Sequence, residues 1–292
     1  MKRLNPEVAD TISRFEPRAK ASDHSIPDAL DVLAHYISAQ QRRIPIRPTL
    51  DLEAALSGKR DRAFIVVLLR DSLAWLRFFH ESVVARASLW TDEVVSGFNE
   101  ASYARIPFAT RALLELFLYT FDTYRRIYNL DEKARSAAPS EAIAYQWETR
   151  DLLLRQARAA RINWDDPFGP EWKAVREEVK QTNVLSLISK LPAEDRDQVE
   201  RWYALLSDAC HPNFGSILLS LDHDRFNDDP LTFAFAESSA SAEHLQLVLD
   251  ICGAPLCFSW LQTVSFLQVI DAIRNHYGEG VRRFGNGTSD DD

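Results

Sequence analysis

Glycine is scarce in this chain. Only 9 of the 292 residues are glycine, and four of them (Gly278, Gly280, Gly285 and Gly287) fall in the last fifteen positions. Dinucleotide and P-loop sites need clustered glycines, because backbone must approach phosphate closely and turn through positive φ. No such cluster exists, which removes those enzyme classes. Cysteine is equally sparse: Cys210, Cys252 and Cys257 are an odd number in a chain long enough to build a core without staples. They read as reduced thiols, and with a charged N-terminus in place of a secretory leader the expected setting is cytoplasmic. Basic charge is in deficit too, 34 Lys and Arg against 43 Asp and Glu for a formal charge of −9. Indiscriminate binding of nucleic acid or anionic membrane is therefore disfavoured, although a local basic face remains open. Neither a nucleophile elbow nor a His-Glu-x-x-His metalloprotease motif occurs.

What the chain has is apolar residues at helical spacing, within a composition that is 46% hydrophobic and 26% charged. The expected fold class is all-α: a single bundle of seven to nine helices with at most one strand-like segment, Leu231 to Ala236. Residues 1–25 read as a polar arm, 26–277 as the helical domain and 278–292 as a flexible acidic tail. A first helix opens at Pro27, and Pro45 and Pro48 force an extended linker. A second runs from about residue 59 through Phe64, Val67, Trp75, Phe79 and Val83. Thr91 is placed as the cap of a separate short helix reaching residue 101. Further helices are expected over 107–129, 140–161, 170–181 and 192–210. The last runs over 241–275 with a bend allowed at Gly253 to Pro255, and the turn residues of 163–170 mark a loop.

Residues 251–270 carry no charge, the length of a membrane span. Polar interruptions such as Gln262, Thr263 and Gln268, with Asp250 and Asp271 at the ends, point to a core helix rather than a span, so no membrane is expected. A helix so uniformly hydrophobic over 246–270 must be buried by its own chain, by a protein partner or by a second copy.

Candidate chemistry centres on residues 105–119. Between Arg111 and Phe121 the only charges are Arg111 and Glu115, one turn apart on one helix face. An arginine near a helix start opposes the dipole, and Arg before Glu is the weaker order, so local helix energetics do not explain the pair. Both groups are expected to point at something else. Tyr203, Ser207 and His211 supply it: spaced by four, they form a stripe of phenol, hydroxyl and imidazole that ends where Pro212 breaks the helix. Glu115 could hold the imidazole in one tautomer while Arg111 offers an anion-binding fork, an arrangement fit for proton transfer or phosphate binding. The same residues equally describe a polar bridge between packed helices, with His211 at a helix C-terminus favoured by the dipole.

With Arg111 and Glu115 followed by Tyr203, Ser207, His211 and Pro212, the chain resembles a group of bacterial all-helical proteins carrying Arg-x-x-x-Glu and then Tyr-x-x-x-Ser-x-x-x-His-Pro. The likeness spans roughly residues 100 to 220. It also looks like the wider HEPN-type class, whose active members are metal-independent ribonucleases or RNA-binding domains, often in toxin or antiviral systems. That resemblance implies RNA as partner and a role in bacterial stress or phage defence. Those nucleases place an arginine a short step before a histidine near a helix start. Here only Arg18 and His24 have that spacing, in the N-terminal arm. Cleavage would instead fall to His211 as acid or base and Arg111 as stabiliser of phosphorane charge.

A second basic set, Arg150, Arg155, Arg158 and Arg161, falls on one side of a helix with Trp147, and could bind phosphate and stack a base. With Glu148 and Asp151 nearby, it also reads as an ordinary solvated face. The acidic run 222–229 lacks the glycine and glutamate of an EF-hand loop, and the cysteine spacing is not that of a zinc site, so no metal and no cofactor is expected.

Overall fold

A computed structural model describes residues 1–15, 24–40, 62–158, 183–211 and 241–285. Among these the fold is an all-α bundle of eight helices without a strand: α1 (Pro6–Phe15), α2 (Ile26–Ala39), α3 (Arg62–Asn99), α4 (Ile106–Ser136), α5 (Pro139–Arg158), α6 (Val184–Ile188), α7 (Ala193–Cys210) and α8 (Ala242–Gly285). A 3₁₀ turn at Tyr103–Arg105 leads into α4. The expected linker prolines, the loop at 163–170, the helix at 170–181, the acidic run 222–229 and the strand-like segment 231–236 lie outside the described residues.

The chain divides into two compact units, one of Met1–Gln40, Val84–Tyr119 and Val184–Ser265, the other of Gln41–Val83, Thr120–Asn183 and Phe266–Asp292. Each of the three long helices, α3, α4 and α8, gives one segment to each unit.

In the first unit the charge-free part of α8 is core. Cys252, Leu256, Cys257 and Trp260 are buried together with Val94, Val95 and Phe98 of α3, Leu113, Leu114 and Phe117 of α4, and Val199 and Leu206 of α7. Phe258 meets Phe117 edge-on, ring centroids 4.9 Å apart, and Trp202 at 5.3 Å, geometry that aromatic quadrupoles favour. By length and composition α8 could cross a membrane, yet 61% of its apolar window is buried within the structure. The helix continues unbroken through Pro255.

The expected break before Thr91 does not occur. No glycine or proline lies between residues 59 and 96, so nothing local stops α3. Thr91 is buried in mid-helix, where its hydroxyl accepts a 3.0 Å hydrogen bond from Trp260 Nε1 instead of capping an end. Gly97, two residues before the end, allows α4 to approach: a Cβ there would stand 2.6 Å from Ile106 Cγ1. At the N-terminus, residues 6–15 form α1 within the stretch read as an arm, with Ile12 fully buried. The ends of the Asn99 amide hold this segment down, Oδ1 accepting from Asn5 N and Nδ2 donating to the Arg3 carbonyl, both at 2.9 Å.

The second unit packs Phe64, Val67, Ile143 and Trp147 around Leu68, and stacks Tyr124 on Phe266 at 4.8 Å. Here α8 runs ten residues past the expected Asn275 end, so 278–285 are helical where a tail was expected.

At the end of α3 the Ser102 N–H reaches back to the Gly97 carbonyl at 2.8 Å while Ala101 takes a φ of 50°. This left-handed closing turn normally employs glycine, since a Cβ there costs about 1–2 kcal/mol. Ala101→Gly should therefore raise stability by about 0.5–1 kcal/mol after the larger entropy of the unfolded glycine chain is subtracted. Urea denaturation would show an unchanged or lower midpoint if the turn carries no such strain.

Candidate functional site

The two distant segments singled out in the sequence meet in the first unit, on α4 and α7. Arg111 donates from Nε to Glu115 Oε1 at 3.1 Å and from Nη2 to the Tyr203 hydroxyl oxygen at 3.1 Å. Its guanidinium carbon also lies 5.1 Å from the centre of the Tyr203 ring. Arg111 is 23% exposed and Glu115 38%, so the junction is lined rather than sealed. The unfavourable local order of the pair is thus offset by a partner 92 residues away. Burial pushes the Arg111 pKa down, but the Tyr203 hydroxyl and the Glu115 carboxylate outweigh it and the net shift is upward. The cation is fixed at every physiological pH.

Cys210 completes the junction and was not singled out as a site residue. Its half-buried thiol lies within the electrostatic reach of Arg111. Tyr203 and Cys210 are seven apart, two turns along one helix face, so the spacing carried that signal. Burial raises the thiol pKa, Arg111 lowers it through charge and hydrogen bonding, Glu115 raises it, and the balance is upward.

The rest of the stripe does not join. His211 is the C-cap of α7, at φ −90° and ψ 153°, because a residue before proline is driven out of the α region. Its backbone N–H still bonds the Ser207 carbonyl at 3.0 Å, but the residue has left the helix and is exposed. Among the described residues neither Glu115 nor another carboxylate holds its ring. Ser207 Oγ is buried and has no hydrogen-bond partner among them. The expected fork with an oriented imidazole thus resolves into a cation, carboxylate, phenol and thiol, with the imidazole outside. Pro212 and Arg18, of the HEPN-type spacing with His24, lie outside the described residues.

The second basic set divides as well. Arg150 turns inward, 5% exposed, and its Nε donates to buried Asp71 at 3.0 Å, with Nη1 3.5 Å from Asp151. An arginine so held is not offered to phosphate. Arg155 is exposed and pairs with Asp151 at 3.3 Å, and Trp147 packs against Leu68 and runs nearly parallel to Phe64, ring centroids 6.5 Å apart. Arg161 lies outside the described residues, as does the side chain of Arg158. The cause is register: Arg150 falls on the α5 stripe that includes buried Leu153 and Leu154, a distinction that an arc of charges does not reveal. Among the described residues no three or more His, Cys, Asp or Glu side chains are grouped to hold a metal.

Two outcomes follow. Arg150→Ala should destabilise the fold by about 3–5 kcal/mol, because it leaves Asp71 charged and buried, whereas Arg155→Ala should change stability by less than about 1 kcal/mol. Similar urea midpoints for the two variants would contradict the burial. In the native protein Cys210 should be the first thiol alkylated by iodoacetamide. Its rate should have a pH midpoint above the free-cysteine value of about 8.5, while Cys252, buried and pushed up to about 12, stays protected until unfolding. Mass spectrometry of the labelled chain distinguishes this from simultaneous labelling of all three.

Comparison with known family models, curated proteins and solved structures finds no match.

Proposed function

We propose that this chain is a non-catalytic helical interaction protein in which Arg111, Glu115 and Tyr203 clasp α4 to α7. One observation carries the reading: the Arg111 guanidinium is committed within the fold, Nε to Glu115 and Nη2 to Tyr203. A catalytic fork needs donors aimed at a position a reacting group will occupy. A general base needs a ring whose tautomer and orientation are held, and the exposed His211 has no such support among the described residues. What the arrangement supports is fixed packing between two helices, the usual result of a satisfied polar network at a partly buried interface.

A second reading is supported by the part-exposed face of Arg111 and by the exposed His211 at the end of α7. In it the site binds RNA phosphate, as the HEPN-type resemblance implies, in a cytoplasmic protein of bacterial stress or phage defence. Binding, rather than cleavage, suits a cation already held in place.

Two measurements separate these. For the clasp, Tyr203→Phe should cost about 1 kcal/mol, and a double-mutant cycle with Arg111→Met should give a coupling energy of about 0.5–1.5 kcal/mol in urea denaturation. Incubation with total RNA without metal should leave it intact. Cleavage that disappears in His211→Ala would overturn the proposal. RNA binding that is lost in Arg111→Met, with stability unchanged, would establish the second reading in its place.

A further inference from the structure

The second unit holds a cavity that none of the sequence motifs touches. It has a volume of about 270 Å³ and is lined by Leu69 of α3, Gln146 of α5, and His276, Glu279, Arg283 and Phe284 of α8. The size is just below the roughly 300–1,000 Å³ of drug-sized pockets, which suits a metabolite of few atoms.

One wall is built on a buried carboxylate. Asp131, 2% exposed, accepts from Arg135 Nε at 2.8 Å on one oxygen and from His276 Nδ1 at 3.0 Å on the other. The contact with Asp131 fixes the plane of the imidazole at the cavity wall. Beside it Tyr277 is buried, its phenol pKa pushed upward by burial above all, then lowered by Thr149, raised by Asp131 and lowered by Arg135.

The rim carries opposite charges. Glu279 and Arg283 are four residues apart on α8, in the order that favours an ion pair on a helix surface. Among the described residues they form no ion pair with each other, and the Arg283 guanidinium carbon lies 6.0 Å from the centre of the Phe284 ring. A carboxylate and a guanidinium borne one helical turn apart on α8, at a cavity also lined by apolar Leu69 and Phe284, match a molecule that carries an ammonium and a carboxylate on one carbon.

We propose that this cavity binds a small zwitterion of α-amino-acid size. Arg283 takes its carboxylate, Glu279 its ammonium, the His276 ring forms part of the wall, and the ligand's side chain lies against Leu69 and Phe284. Gly280 keeps the floor open, since a Cβ there would already stand 3.2 Å from Leu69 Cδ1.

The test is calorimetric titration of the full chain with each of the standard L-α-amino acids, followed for any that binds by its N-acetyl and carboxamide derivatives. Saturable binding of at least one amino acid is expected, with each derivative weaker by about tenfold or more and with a similar loss in Glu279→Ala and Arg283→Ala. Both side chains are exposed, so the variants should keep the native circular dichroism spectrum and thermal midpoint. No saturable binding by any standard amino acid, or binding that survives both substitutions or both capped derivatives, overturns the proposal.

Discussion

Desolvation of an uncharged stretch of α8 is the constraint around which the first unit is arranged. Leaving residues such as Leu256, Trp260 and Val264 in water would forfeit roughly 1.5–3 kcal/mol for each large side chain. Their burial in turn brings polar atoms inside, and those atoms need partners. Thr91 answers the Trp260 indole from the middle of α3. Tyr203 answers Arg111 at the margin of the same packing, where solvent still reaches the guanidinium. The polar contacts follow from the apolar ones, in that only a closely packed α4 and α7 bring a phenol within reach of that arginine.

Buried carboxylates in the second unit follow the same logic with higher stakes. Asp71 and Asp131 are both almost fully enclosed, and each faces an arginine at hydrogen-bond distance. A buried charge without its partner costs several kcal/mol, so such pairs fix which helix faces meet more than they add stability over an apolar core. Arg150 illustrates how a residue that looks like a ligand-seeking cation in sequence becomes a structural one. His276 goes the other way, since its attachment to Asp131 orients a ring that also lines a cavity.

How far the sequence could be read depended on the range of the physics involved. The all-α class, and the positions of α2, α4 and α7, were legible because apolar periodicity, Pro27 and Pro192 are local signals. The pairing of Arg111 with a partner on α7 was legible because the arginine was unexplained by its own helix. The continuity of α3 was not: Thr91 looks like a cap, and only its burial against Trp260 shows otherwise. The place of His211 was half legible. Pro212 announced the end of the helix, but the same restriction removed the imidazole from the stripe on which the predicted site depended. Nothing in spacing links Asp131 to His276, which are 145 residues apart. Arg150 and Arg155 differ only in register, which a charge pattern cannot resolve.

Pro255 within α8 leaves the Ile251 carbonyl without the N–H it would meet one turn on, in a helix otherwise closed from Ala242 to Gly285. The missing bond lies in the most deeply packed part of that helix, between buried Cys252 and Cys257. Amide hydrogens flanking this gap have one fewer link to break before they meet solvent, so deuterium uptake along α8 is expected to rise at its centre rather than only at its ends. A missing backbone bond inside a core, and not on a surface loop, marks the place where bending this long helix costs least.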